Sequence, residues 1–303
     1  MLFRKEKIDE KTRIYHILGI KIKLVKKSVR ISKMTKAKRD DALITLKCIR
    51  NLSAKINNVQ TIVLGSSSAR MGFIENDTSI NLGIDAQDLY YSYKLLEKYI
   101  SIIPNLKNVV LYFTVFAPGN NLEHSPLKYR SSYYSAYFDI PYRNKFAAII
   151  DERIKLEERL IKNTKKFTTK LKAVPYDLMT EEHKILNPEH IEQKWIESWI
   201  KLNQKCTEIH YLEKILNLAK NNGCRVLIVN CPYAERAKEK LPEYSLLFKT
   251  SNEICKKYKN VQIYNAYSDD CYEKDDFRDL NHLSRSGAEK MTTKINEFLE
   301  DEL

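Results

Sequence analysis

The chain has no run of some eighteen consecutive apolar residues, so no segment reads as a membrane-spanning helix. Its opening, MLFRKEKIDEKTRIYHILGIKIKLVKK, has no apolar core followed by a small-residue cleavage site. No secretory signal is read there, and a cytoplasmic protein, peripheral at the inner membrane at most, is expected. The six cysteines (Cys48, Cys206, Cys224, Cys231, Cys255 and Cys271) include no C-x-x-C pair. Reduced thiols are therefore the expected state. No H-x-x-x-H or His/Cys grouping is present, so neither a metal nor another cofactor is expected, and His16, His124, His183, His190 and His210 read as ordinary side chains. Internal repeats and low-complexity tracts are also missing.

What is present is a soluble composition with displaced charge. Of 303 residues, 43% are hydrophobic and 30% charged, and the formal net charge is +13. Residues 1–60 hold 17 Lys and Arg against 5 Asp and Glu, leaving about +1 for all the rest. Residues 1–58 thus read as a basic arm ending in a helix near DALITLKCIRNLSAKI. Three roles fit such an arm: a solvated extension, attachment to an anionic membrane, or nucleic-acid binding. With no recognition module in the arm and almost no net charge in the remainder, nucleic acid is not expected as a partner.

From residue 59 onward, short apolar runs alternate with helical patterns. VQTIVLG (59–65), NVVLYFTVF (108–116), CRVLIVNCPY (224–233) and NVQIYNAY (260–267) read as buried strands. LYYSYKLLEKYISII (89–103) places Leu89, Tyr93, Leu96 and Ile100 on one helical face. Residues 195–223 read as one long helix stopped by Asn-Asn-Gly, and a terminal helix begins at Ser284 or Ser286. Residues 117–190 are irregular and rich in Tyr and Lys, with a charged helix near 151–172, and read as an insertion. The expected fold is α/β, three layers α/β/α around a mainly parallel sheet, with 59–303 as one domain.

In such sheets, ligands bind beyond the carboxyl ends of the strands. Ser67 falls there after the first strand of this domain, the 117–121 loop after the second, and Asp279 and His282 after the last. A serine needs a base to take its proton, and that base needs an acceptor on its other ring nitrogen. Asp279-Leu280-Asn281-His282 gives the only histidine with an aspartate three residues earlier. The bland alternatives are a helix cap for Ser66–Ser68, a packing histidine, and a loop-capping Asp279.

LGSSSARMGF with DLNHLSRSGAEK resembles the SGNH (GDSL-type) serine hydrolase superfamily. The resemblance covers about 59–120 and 224–300. It implies Ser67 as nucleophile, Asp279 as orienter and His282 as base. INLGIDAQDLYY is similar to the second block of the family, which implies Ala86, with Gly83 nearby, as a backbone oxyanion donor alongside the Ser67 N–H. The family's third block brings an asparagine; LYFTVFAPGNNLE lacks the pattern, and Asn120 or Asn121 stands nearest. GSSSA is one residue short of the α/β-hydrolase elbow G-x-S-x-G, but that fold places its acid well before its histidine.

The arm's LGIKIKLVKK is similar to N-terminal segments of bacterial enzymes that build capsule or lipopolysaccharide glycans. The expected activity is therefore esterase or acyltransferase chemistry on an acylated or acyl-accepting cell-surface glycan. Tyr129, Tyr133, Tyr134 and Tyr137 are either sugar-stacking or core residues. A glycan-binding or scaffold role on a degenerate fold of the same type is the alternative.

Overall fold

A computed structural model describes the backbone of residues 3–7, 12–17, 20–25, 36–143, 152–171 and 187–300, and side chains within 38–143, 152–164 and 187–300. The chain divides into two compact units, Met1–Ala42 and Leu43–Leu303.

The smaller unit holds an antiparallel sheet of β1 (Phe3–Lys7), β2 (Thr12–Ile17) and β3 (Ile20–Val25), in the order β1-β2-β3. The basic arm therefore contains strands that its charge density hides from a periodicity reading. Helix α1 (Lys36–Lys55) follows. Its Leu43, Leu46, Cys48 and Leu52 are buried. The division between the two units falls between residues 42 and 43, within α1.

In the larger unit, β4 (Thr61–Leu64) leads into the short helix α2 (Ser67–Gly72), then β5 (Ser79–Asn81) and α3 (Leu89–Tyr99). β6 (Asn108–Phe113) runs into the insertion, whose described parts include α4 (Ser131–Phe138) and α5 (Glu152–Leu171). Helices α6 (Glu189–Lys205) and α7 (His210–Asn221) lead to β7 (Arg225–Asn230). After it come α8 (Lys249–Cys255), β8 (Val261–Tyr264) and α9 (Arg285–Glu300).

All five strands of this unit are parallel, in the order β5-β4-β6-β7-β8. Every residue of β4 and β6 is buried, as is all of β7 except Arg225. Strands covered on both faces are what a three-layer α/β/α arrangement requires. The core runs through Ile62–Leu64, Val109–Phe113 and Val226–Val229.

Chain order sets the position of the site. From β4 the chain steps to β5 on one side, then returns to β6 on the other side of β4. The connections leaving β4 and β6 thus run in opposite directions, toward β5 and toward β7, and the carboxyl ends of these two strands form the switch point at which such sheets bind ligands.

Two differences from the sequence reading have local causes. β5 is only three residues long, below the length at which an apolar pattern registers. The expected helix 195–223 is two helices, broken where Cys206 turns left-handed with φ +48°.

Candidate active site

Gly65 ends β4 with φ +137°, and a Cβ there would lie 2.9 Å from Tyr112 Cβ. Only glycine accommodates that turn beside β6. The chain then enters α2, and the three serines divide their tasks. Ser66 is the N-cap, its side chain accepting from the Ser68 N–H. Ser68 is buried. Ser67, half-buried, is the one that faces His282.

His282 reaches Ser67 from the far end of the sequence. The N–H of Ile74, just past α2, donates to Thr292 Oγ1 on α9 at 2.9 Å, which holds the terminal helix beside α2. Gly287 permits the tight packing of α9 on the preceding loop, since a Cβ there would lie 2.3 Å from the Asp276 carbonyl oxygen. The 279–282 loop is fixed by Ala234 N–H donating to Leu280 O and by Arg278 N–H donating to His282 O.

The resulting geometry is a continuous relay. His282 Nε2 lies 2.7 Å from Ser67 Oγ, and His282 Nδ1 lies 2.7 Å from Asp279 Oδ2. Asp279 Oδ1 accepts the N–H groups of Asn281 at 3.0 Å and His282 at 2.9 Å. The aspartate therefore both caps the loop and orients the imidazole. Burial alone would raise the Asp279 carboxyl, but the His282 bond and the backbone donors hold it below the usual range.

The neighbouring loops bring the other expected residues to the same edge of the sheet. Ala86, after β5, has φ +61°, the left-handed region in which glycine is the easy occupant. Asn120, after β6, points its Nδ2 at the Ala86 carbonyl, 3.4 Å away. Asn121 turns elsewhere and donates to Glu208. Gly83 is buried, and its N–H donates to Asn81 Oδ1. Among the described residues, no acceptor is found for the N–H of Ser67 or of Ala86.

Charged residues that the sequence reading passed over brace this edge. Arg70 of α2 grips Asp85 with Nε–Oδ1 and Nη2–Oδ2 distances of 2.6 and 3.3 Å, and Arg130 approaches the same carboxylate at 3.6 Å. Burial would raise Asp85, and the two arginines hold it low. No local spacing announces these pairs.

Of the four tyrosines considered for sugar stacking, Tyr133 and Tyr134 are fully buried. Tyr134 stacks on Tyr91 at 4.0 Å between centroids and bonds Gln87 through its hydroxyl. These two are core residues. Tyr129 and Tyr137 are partly exposed. A cleft of about 390 Å³ is lined by Asp279 with Tyr233, Arg236, Lys238, Tyr272 and Phe277. Among the described residues, no group of three His, Cys, Asp or Glu side chains is placed to hold a metal ion, the six cysteines are free, and no helix is long and apolar enough to cross a membrane.

No family model matches the chain, and no curated protein is similar to it.

Proposed function

We propose that the chain carries out serine-dependent acyl-ester chemistry of the SGNH type, with Ser67 as nucleophile, His282 as general base and Asp279 as orienter. The observation that carries this reading is the unbroken Ser67–His282–Asp279 relay at the carboxyl edge of the sheet. A packing histidine has no need of a serine hydroxyl on one nitrogen and a buried carboxylate on the other.

In the proposed reaction, His282 Nε2 takes the Ser67 proton as Oγ attacks an acyl carbonyl. Asp279 stabilises the imidazolium through Nδ1. The oxyanion is met by the N–H groups of Ser67 and Ala86, with the Asn120 amide alongside. Collapse of the intermediate breaks the bond to the leaving alcohol, which receives the proton from His282, and Ser67 is left as an ester. Water or a sugar hydroxyl then gives its proton to His282 and attacks the ester carbonyl; the bond to Ser67 Oγ breaks, Oγ takes the proton back from His282, and the acyl group leaves on the incoming oxygen. Hydrolase and acyltransferase share the first half of this cycle.

The acylated-glycan substrate is supported by the arm's likeness to glycan-building enzymes and by the insertion. The insertion leaves β6 at the ligand edge with Tyr129 and Tyr137 partly exposed. The same reading gives the basic arm an attachment role at anionic membranes.

A fluorophosphonate reagent should label the protein at Ser67 and leave Ser67→Ala and His282→Ala unlabelled. Release or transfer of acetyl from an acetylated glycan should be abolished in both variants. Asp279→Asn should lower it severely, by up to about four orders of magnitude, because the wrong tautomer is favoured. Labelling undiminished in Ser67→Ala removes the proposal, and a wild-type protein that never labels favours the non-catalytic alternative.

A further inference from the structure

The loop that follows β6 has only two single 3-10 turns of its own, Ala117–Gly119 and Leu122–His124, and it is pinned from outside at four successive places. The Pro118 carbonyl accepts the Glu208 N–H at 2.8 Å, and Asn121 Nδ2 donates to Glu208 Oε1 at 3.0 Å. The Leu122 N–H donates to Asp88 Oδ2 at 2.7 Å. Glu123 Oε1 accepts both the Tyr91 hydroxyl at 2.8 Å and the Arg143 N–H at 2.7 Å. Asn120 sits in the middle of these anchors.

Two of the anchors, Asp88 and Glu208, are carboxylates joined by a single cation. Arg143 gives Nη2 to Asp88 Oδ2 at 3.0 Å and Nη1 to Glu208 Oε2 at 2.6 Å. Its guanidinium also lies over the Tyr90 and Tyr211 rings, at 4.3 and 5.1 Å from their centroids. Arg143 belongs to the insertion, whereas Asp88 caps α3 two residues after Ala86, and Glu208 stands in the break between α6 and α7. Both carboxylates are buried. Burial pushes Asp88 up to about 6 and Glu208 adds to the push, so Arg143 is the cation that favours its ionised form.

We infer that Arg143 is a positioning residue for the oxyanion site: its clasp on Asp88 and Glu208 fixes the loop of Asn120 against the loop of Ala86, so that the insertion completes the donor set of the core domain. The inference rests on the serine-nucleophile reading above. It gives the insertion a second task beyond bordering the cleft. It also explains how a loop without the family's third-block pattern is held in place: pairing across three distant segments replaces local turn chemistry. Removing one partner of a buried charge pair leaves the others uncompensated, so the loop should shift.

The test uses the full chain and the fluorophosphonate reagent, measuring labelling of Ser67 as kinact and KI where circular dichroism shows each variant folded. Arg143→Gln should lower kinact about tenfold or more with KI little changed, because one oxyanion donor is worth a factor of a hundred or more. Glu208→Gln keeps an oxygen for Asn121 and leaves Arg143 paired with Asp88, so it should lower kinact by less than Arg143→Gln. Arg143→Lys, which keeps a cation for the buried Asp88 and Glu208, should recover part of the rate, a rescue that tracks the charge of the clasp. An unchanged kinact in Arg143→Gln overturns the clasp, and so does an Arg143→Lys variant no faster than Arg143→Gln. If the wild-type serine itself fails to label, the nucleophile reading falls first, and that result is visible in the wild type alone.

Discussion

Ala86 is one of three non-glycine residues with positive φ among the described residues, and the only one of the three at the candidate site. An alanine held there costs of order 1–3 kcal/mol, which its neighbours must offset. Asp85, one residue earlier, is locked by Arg70, and Asp88, two residues later, by Arg143. The strain is thus confined between two ion pairs. Ala86→Gly removes the Cβ while keeping the N–H, so it should raise the unfolding free energy by roughly 1 kcal/mol and leave Ser67 labelling intact. Chemical denaturation of the two proteins checks this. Asp279 offers a second residue-scale test. Its folded carboxyl titrates below the unfolded value of about 3.9, so its stabilising contribution is present above that pH and is lost as pH falls through the folded value. The stability advantage of wild type over Asp279→Asn should be widest near neutral pH and shrink below about pH 4. Other carboxyls held low, such as Asp85 and Asp276, are common to both proteins and cancel. A gap constant from pH 7 to 3 would show that the aspartate is not held by His282.

At the scale of elements, legibility followed period and length. β4, β6 and β7 stand out because buried parallel strands are near-continuous apolar runs, and the half-buried edge strand β8 by its β-branched and aromatic residues. α9 was marked by Ser284, whose Oγ accepts the Gly287 N–H at 3.4 Å, and α7 by Gly223 with φ +69° just past its end. β5 was missed because Ser-Ile-Asn carries no alternation, and its place at the sheet edge comes from pairing with β4 alone. The break at Cys206 was missed because cysteine is not a helix-stopping residue; what stabilises it is tertiary, with Glu208 bonding Pro118 and Asn121. The relay residues were legible because a serine after a strand and an aspartate three residues before a histidine are short-range features. The clasp was not. Asp88 and Arg143 are 55 positions apart, and Arg143 and Glu208 are 65, so only folding brings them together. Ion pairs at such separation leave no spacing in a single sequence.

At the scale of the whole molecule, the two units differ sharply in charge density. Met1–Ala42 holds fourteen Lys and Arg against five Asp and Glu, a net +9, and Leu43–Leu303 carries the remaining +4 over about six times the length. A field of that kind attracts an anionic surface without helping the chemistry, since the Ser67–His282–Asp279 edge is braced by its own ion pairs. The place to separate the two properties is set by α1. A cut at residue 50 would remove Leu43, Leu46 and Cys48 from the core of the larger unit, whereas removal of residues 1–35 leaves α1 whole. Residues 1–35 contain eleven Lys and Arg against three Asp and Glu, including every basic residue of β1, β2 and β3. Each basic residue near an anionic bilayer contributes on the order of 1 kcal/mol, so deletion of 1–35 should lower binding to vesicles containing phosphatidylserine by well over tenfold. Binding of the intact chain should also weaken as salt is raised, because the attraction is screened. The truncated chain should lose the strand signal of β1–β3 but keep the helical circular-dichroism signal and the Ser67 labelling of the larger unit. Equal vesicle binding with and without residues 1–35 would rule out the arm as the attachment, and loss of labelling would show that the smaller unit contributes to the site itself.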